Sequence, residues 1–119
     1  MDRQAVVASL SALAHEGRLD IFRLLVKAGP QGTPAGEIAR RLAVMPNALS
    51  ANLKVLSHAG LIGSRRQGRS IIYRANHPAM TDVLGFLMED CCGGDAAICG
   101  PLVEIANRAA CCAAEPPGA

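Results

Sequence analysis

The chain has 119 residues, of which 50% are apolar, and a formal net charge of +2 at pH 7. This composition supports one ordinary domain with a core that needs no disulfides, and an odd number of cysteines, five, fits a closed disulfide set poorly. The sequence opens without the charged and apolar regions of a signal peptide, and no apolar run could span a membrane, so we expect a soluble cytoplasmic protein with reduced thiols.

The first part of the chain has the apolar spacing of two helices. Val6, Leu10 and Leu13 recur at intervals of four and three residues, which is helical spacing. A second helix follows and ends at Gly29-Pro30, because these two residues interrupt a helix. The apolar residues of the second helix are Leu19, Phe22, Leu25 and Val26.

Two shorter helices with a tight turn between them come next. Thr33 is a favourable N-cap with Pro34 at the first helical position, which predicts a helix to Ala43. Pro46 opens another helix, which runs to Ala59. Such a pair is the helix-turn-helix pattern. The inward stripe of the second member consists of Leu49, Leu53 and Leu56.

The apolar period then changes from that of a helix to that of a strand. Residues 61–65 and 70–74 flank Gln67-Gly68, which predicts two strands joined by a basic hairpin. A helix-turn-helix followed at once by a hairpin is a winged helix. The predicted fold class is therefore mainly α with a small β-hairpin, a winged helix-turn-helix.

The last predicted helix begins beyond Pro78. Met80, Val83 and Leu87 fall at i, i+3 and i+7, and Leu84 adds the i+4 position. This apolar stripe belongs either to the core or to a dimer interface.

The basic residues are concentrated in the predicted winged helix. From Ile38 to Thr81 the sequence has seven Lys or Arg residues and no Asp or Glu, whereas acidic residues dominate after Thr81. A basic centre suits a polyanion that an acidic end would repel, so the pattern indicates a nucleic-acid surface. The alternative is a basic face that is only solvated.

The outward face of the helix from Pro46 is the candidate for the DNA groove. Its polar side chains could bond base edges, its alanines would permit close approach, and the hairpin arginines could bind phosphates or the minor groove. Plain solvent exposure is the alternative for Lys54 and His58. Asn52 lies nearer the buried stripe, so we assign it a structural role or a role in supporting the contact residues. The predicted DNA-binding residues are Asn47, Ala48, Ser50, Ala51, Lys54, Arg65, Arg66 and Arg69.

A single module of this kind contacts too little DNA for tight specific binding, whereas a symmetric dimer doubles the contacts. We therefore expect a homodimer on double-stranded operator DNA, with no membrane partner. The first and last helices would form its interface, unless their apolar residues fill the core of a monomer. The predicted interface residues are Val6, Leu10, Leu13, Val83, Leu84 and Leu87.

The segments ALAHEGRLDIFRLL, NALSANLKVLSHAGLI and RRQGRSIIYR, followed by CCGGDAAIC, together resemble the ArsR/SmtB family of metal-sensing winged-helix repressors, most of all its arsenic-responsive branch. The resemblance covers about residues 5–100. It implies a homodimer that occupies an operator upstream of resistance genes and leaves it when an ion binds. It also implies As(III) as inducer, bound by an adjacent cysteine pair and a third cysteine after the last helix, and we expect no organic cofactor. These ligands map onto Cys91, Cys92 and Cys99.

The chain departs from other branches of that family. GEIARRLAV has no cysteine pair before the recognition helix, where some members place their sensor site. Members that bind zinc on the last helix use pairs of His and Asp, to which His77 and Asp82 alone are a poor match. Asn52 stands where many relatives have His, which leaves the operator preference open.

The chemistry of clustered thiols favours the same ligand. Thiolates are soft donors, and As(III) or Sb(III) takes three of them in a pyramid, whereas zinc needs a fourth donor. The chain between Cys92 and Cys99 spans at most about 25 Å, and Gly93-Gly94 lets it fold back, so one chain can close the site. Cd(II), Zn(II) and methylarsenite stay open as ligands. A possible auxiliary site, or a fourth zinc donor, is the pair Cys111 and Cys112.

A thiol-based redox enzyme is the main competing function. A catalytic thiolate needs an electropositive setting, but Glu89, Asp90 and Asp95 surround the cysteine pair, so we expect no enzyme. A metal carrier without a DNA function would leave the winged helix unexplained.

We therefore expect two regions. Residues 1–90 would form the winged-helix DNA-binding and dimerisation domain, and residues 91–119 a cysteine-rich ligand-binding segment with a flexible tail. Residues 93–119 are rich in Gly, Ala and Pro, so a ligand or partner would be needed to order them.

Overall fold

A computed structural model of the chain describes residues 2–89, 100–105 and 107–108. The chain divides into two compact units, Met1–Phe86 and Leu87–Ala119. The functional division at residues 90 and 91 stays a prediction. No helix in these described ranges has the length and apolar character of a membrane span.

The fold is the predicted winged helix-turn-helix, mainly helical with a small sheet. In chain order the elements are α1 (Arg3–Leu13), α2 (Glu16–Ala28), a 3-10 turn (Gly29–Gln31), β1 (Thr33–Pro34), α3 (Ala35–Leu42), α4 (Pro46–His58), β2 (Ile62–Gln67), β3 (Ser70–Ala75) and α5 (His77–Met88).

Side-chain caps fix the starts of three helices. The Asp2 Oδ1 atom accepts a hydrogen bond from the Ala5 amide at 2.7 Å, and the His15 Nδ1 atom accepts one from Gly17 at 3.1 Å. Such caps satisfy amides that have no partner inside a helix. Asn76 caps α5 and also donates to the Gly60 carbonyl at 2.9 Å, so it ties the start of α5 to the turn that follows α4.

The prediction that Thr33 caps α3 is wrong. Thr33 and Pro34 form β1, which pairs antiparallel with β3, Thr33 opposite Tyr73 and Pro34 opposite Ile72. The sheet therefore has three strands, in the order β1-β3-β2, instead of the two in the predicted hairpin. Thr33 is 4% exposed, and α3 begins at Ala35 without a side-chain cap. The strand partner of Thr33 is Tyr73, 40 residues further along the chain. A pattern of neighbouring residues could therefore not predict this pairing.

The wing is the antiparallel hairpin of β2 and β3, in register from Ile62 opposite Ala75 to Gln67 opposite Ser70. Its loop consists of Gly68 and Arg69, and the φ of Gly68 is 63°. A positive φ at the first of two loop positions is the pattern of a type II′ turn, which matches the twist of the two strands.

One hydrophobic core joins these elements. It is built around side chains from α2, α3, α4 and the base of the wing, including the fully buried Leu25, Ile38, Leu56 and Leu61. Leu61 lies between α4 and β2, so the core extends from the helix-turn-helix to the wing. Its buried members are Ala12, Ile21, Phe22, Leu25, Ile38, Leu49, Leu53, Leu56, Leu61, Ile62 and Ala75.

Gly32 is the tightest point between the 3-10 turn and β3. Its φ of 77° and ψ of −171° lie in a region that only glycine occupies readily. A Cβ atom there would lie 2.5 Å from the Tyr73 carbonyl oxygen and 2.8 Å from Ile72 Cγ2.

Gly32→Ala should therefore lower the free energy of unfolding by about 2 kcal/mol or more, through backbone strain and displacement of β3. Gly36→Ala is the matched control, because Gly36 lies in α3 with nothing within 4 Å of its Cβ position and no positive φ. Its stability should be unchanged or slightly raised, since Ala is the better helix former. Urea unfolding measures both, and equal stabilities for the two variants would contradict the assignment.

Candidate nucleic-acid interface

The second helix of the helix-turn-helix, α4, has one face in the core. Leu49, Leu53 and Leu56 are 3%, 4% and 0% exposed. Residues at this spacing share one face of a helix, so their burial fixes the rotation of α4 about its axis. Most of the rest of its circumference is turned to solvent. The residues predicted to contact DNA from α4 are all exposed: Asn47, Ala48, Ser50, Ala51 and Lys54.

Asn52 is half-buried at the edge of this exposed face. Its Nδ2 atom lies 3.2 Å from the position that a Cβ on Gly17 would occupy, so the amide is turned toward the start of α2. The His15 ring borders the same position, with its Cε1 atom at 3.1 Å. This placement agrees with a structural role for Asn52. His58 is exposed at the last position of α4.

Two of the seven basic residues already have a carboxylate partner on α3. The Glu37 carboxylate accepts hydrogen bonds from the guanidinium groups of Arg40 and Arg41, with 3.0 Å between Oε1 and Arg40 Nε and 2.8 Å between Oε2 and Arg41 Nε. The pKa of Glu37 is lowered, mainly by the hydrogen bond from Arg40 and next by the one from Arg41. The bond to Glu37 in turn raises the pKa of Arg40. The count of cations over residues 38–81 therefore overstates the charge available to DNA, because Glu37 lies just outside that range.

The three arginines predicted in the wing differ in their surroundings. Arg65 of β2 donates a hydrogen bond from Nη2 to the Gln31 carbonyl at 2.9 Å. Arg66 and Arg69 are exposed, and within the described part of the chain neither forms a hydrogen bond or an ion pair. Together with Lys54, they present positive charge from α4 and from the tip of the wing.

The predicted ligand cysteines, Cys91, Cys92 and Cys99, and the auxiliary pair, Cys111 and Cys112, lie outside the described residues and stay predictions. Among residues 2–89, 100–105 and 107–108, no three His, Cys, Asp or Glu side chains meet in a group that could hold a metal ion.

The residues predicted for a dimer interface fall into two groups. Val6 and Val83 are already covered by their own chain, at 2% and 5% exposure, and Leu13 packs half-buried against the core. The other three are available to a partner: Leu10, Leu84 and Leu87, at 39%, 48% and 53% exposure.

Sequence reasoning missed two partners of basic side chains. Glu37 could have been found, because it precedes Arg40 and Arg41 by the three and four residues at which helical side chains meet. The Gln31 carbonyl gives no such signal, since a backbone acceptor 34 residues from Arg65 has no signature in the sequence.

Comparison with known proteins finds similarity to DNA-binding regulators over most of the chain. A helix-turn-helix domain family matches residues 13–65. The HTH-type transcriptional regulator YgaV of Escherichia coli K12 is 32% identical over 89 residues, which are 75% of this chain and 88% of that protein.

Solved structures show the same architecture. An ArsR-like transcriptional regulator from Rhodococcus sp. RHA1 has a TM-score of 0.67 and 27% identity, over 82% of this chain and 89% of that one. The homodimeric winged helix-turn-helix DNA-binding domain of a possible ArsR-family regulator from Mycobacterium bovis has a TM-score of 0.59 and 30% identity, over 73% and 80%. A possible transcriptional regulator for arsenical resistance has a TM-score of 0.59 and 25% identity, over 66% and 79%.

The ion pairs of Glu37 predict a pH dependence of stability. The pKa of Glu37 is lower in the folded protein than its ordinary value of 4.5, so the contribution of its ion pairs is present above about pH 4.5 and is lost as the pH falls through the lowered pKa. Glu37→Gln should therefore be less stable than the wild type at neutral pH, and the difference should vanish in acid. Urea titrations at both pH values measure the free energy of unfolding.

Glu16→Gln is the control, because Glu16 is an exposed carboxylate for which the described residues provide no ion pair. It should show a smaller difference from the wild type at neutral pH. An equal pH dependence in the two variants would contradict the role given to Glu37.

Proposed function

This chain belongs to the ArsR/SmtB family of winged helix-turn-helix transcriptional regulators, and from that premise we propose that it represses transcription by binding operator DNA as a homodimer and leaves the DNA when cysteine thiolates bind trivalent arsenic. Its relatives are DNA-binding regulators rather than enzymes. The observation that carries the DNA-binding part is the rotation of α4, which buries its leucines and exposes all five predicted contact residues.

We place α4 in the major groove. Asn47 and Ser50 offer hydrogen-bonding groups to base edges, and Lys54 can reach a phosphate or a guanine. Ala48 and Ala51 are exposed and small, so the helix can approach the bases closely. The wing supplies Arg66 and Arg69 to flanking phosphates or to the minor groove.

A second copy of the chain supplies the other half of the operator contact. A two-fold symmetric dimer presents two copies of α4 to successive major grooves, which predicts an operator with two inverted half-sites. The M. bovis domain to which this chain is similar is homodimeric. Exposed Leu10 on α1 and Leu84 on α5 provide apolar surface for the contact, and Val7 of α1 adds to it at 59% exposure. Leu87 stays a predicted interface residue.

We assign the inducer site to Cys91, Cys92 and Cys99. Three thiolates suit As(III) or Sb(III), which take three sulfurs, and the pair begins three residues after α5 ends. Since α5 carries Leu84, ligation just beyond its end would alter the dimer contact and with it the spacing of the two α4 helices. Linkage requires that DNA weaken inducer binding by the same factor, typically about 5- to 150-fold, by which the inducer weakens DNA binding.

The proposed groove contact predicts a change in salt dependence. Lys54→Ala should weaken binding to an operator selected from random duplexes. It should also make the negative slope of log K against log salt shallower by about 0.9, the effect of one lost phosphate contact. The chain has one other lysine, Lys27, which is exposed on α2. Lys27→Ala removes the same charge outside the proposed surface and should keep the wild-type slope. Similar slopes for the two variants would argue against α4 as the recognition helix.

The inducer site predicts a selective loss of response. Cys92→Ser should bind the operator as the wild type does but should no longer be released by arsenite in gel-shift titrations under reducing conditions. Cys112→Ser should still be released, because we assign Cys112 to the auxiliary pair. X-ray absorption should find three sulfur neighbours around arsenic, and oxygen or nitrogen neighbours alone would exclude the site.

The same titration with Cd(II), Zn(II), antimonite and methylarsenite identifies the ligand. Release by Zn(II) and not by arsenite would exclude the arsenic-responsive function while keeping DNA binding. Equal release of wild type and Cys92→Ser by arsenite would exclude Cys92 as a ligand.

A further inference from the structure

We infer that Arg65 fastens the wing to the 3-10 turn after α2, and that it acts on DNA binding by positioning Arg66 and Arg69 rather than by contacting DNA. This inference rests on the proposed function, since it assigns roles within the same DNA surface. It assigns Arg65 a different role from Arg66 and Arg69, although the sequence pattern gives all three the same one.

Arg65, which donates this hydrogen bond, lies in the last row of the sheet in which all three strands are paired. Pro34 of β1 pairs with Ile72 of β3, and Ile72 in turn pairs with Arg65 of β2. Beyond this row the hairpin continues through Arg66 opposite Ile71, with no partner on the β1 side. The tip of the wing is therefore a two-stranded ribbon, which is marginally stable alone.

The acceptor belongs to a well-fixed turn. Gln31 ends the 3-10 turn, and carbonyl groups at the end of a helical turn have no partner inside it. The Gly32 amide donates to Gly29 O at 3.1 Å, and the Cβ position of Gly32 lies 2.5 Å from the Tyr73 carbonyl oxygen. Arg65 thus links the hairpin to a segment that is already packed closely against β3.

The alternation of side chains along a strand separates Arg65 from Arg66. Successive side chains of a strand point to opposite faces of the sheet, so Arg66 cannot share the contact with Gln31. Arg69 lies in the loop at the tip. The two exposed arginines thus extend from the ribbon that Arg65 holds at its base. A wing held in place before DNA arrives loses less conformational freedom on binding, which favours affinity.

Arg65→Met and Arg66→Met form a matched pair, since each removes one charge and keeps an apolar stem. On the selected operator, Arg66→Met should make the negative slope of log K against log salt shallower by about 0.9, as expected for a lost phosphate contact. Arg65→Met should weaken binding by up to about fivefold, because the cost of ordering an unanchored wing cannot exceed the free energy of the lost hydrogen bond. It should change the slope by less than half as much as Arg66→Met does. Urea unfolding establishes that both variants fold. An equal or larger slope change in Arg65→Met would overturn the inference.

The free protein gives a readout that does not depend on DNA. The {1H}-15N heteronuclear NOE of the Gly68 amide should fall in Arg65→Met and stay at the wild-type value in Arg66→Met. Gln31→Ala should match the wild type, because the acceptor is the backbone carbonyl. An unchanged NOE in Arg65→Met would refute the anchor. Should the wild type bind no duplex at all, the proposed function would fail, whereas the NOE would still decide whether Arg65 holds the wing.

Discussion

The burial of three leucines on α4 is the constraint on which the DNA-binding surface depends. Leu49, Leu53 and Leu56 lie in the same core as residues of α2 and of the base of the wing. Because they occupy one helical face, the helix cannot rotate without exposing them to water. Their packing therefore determines which polar residues reach solvent, and Asn52 at the edge of that face is turned toward α2 instead.

The second constraint is the short strand β1, which joins the helix-turn-helix to the wing. It immediately precedes α3 and pairs with β3, so the first helix of the motif and the hairpin share one backbone framework. Gly32 permits the close approach that this pairing needs, and Arg65 extends the attachment to β2. The segment of the 3-10 turn and β1 and the hairpin of β2 and β3 are far apart in sequence. Their contacts together define where the tip of the wing lies relative to α4.

Electrostatics divides the basic residues by role. On α3, Glu37 offsets part of the charge of Arg40 and Arg41, which stabilises that helix locally and leaves less charge for a polyanion. Lys54, Arg66 and Arg69 are exposed without such partners in the described part of the chain. The proposed phosphate contacts are accordingly concentrated on α4 and the wing tip, while the sensing chemistry is assigned to cysteines beyond α5, in a part of the chain with acidic residues.

The sequence by itself determined the helices, the hairpin and the exposed face of α4, because periods of 3.6 and 2 and the positions of Gly and Pro are local signals. It also determined that Cys91 and Cys92 are neighbours, since adjacent residues need no fold to bring them together, whereas their joint site with Cys99 stays a prediction. Only the tertiary structure decided that Thr33 belongs to a strand and that Arg65 bonds to Gln31. Both depend on backbone partners 34 or more residues away. Because backbone groups are the same at every position, no pattern of residues indicates which of them will form these bonds.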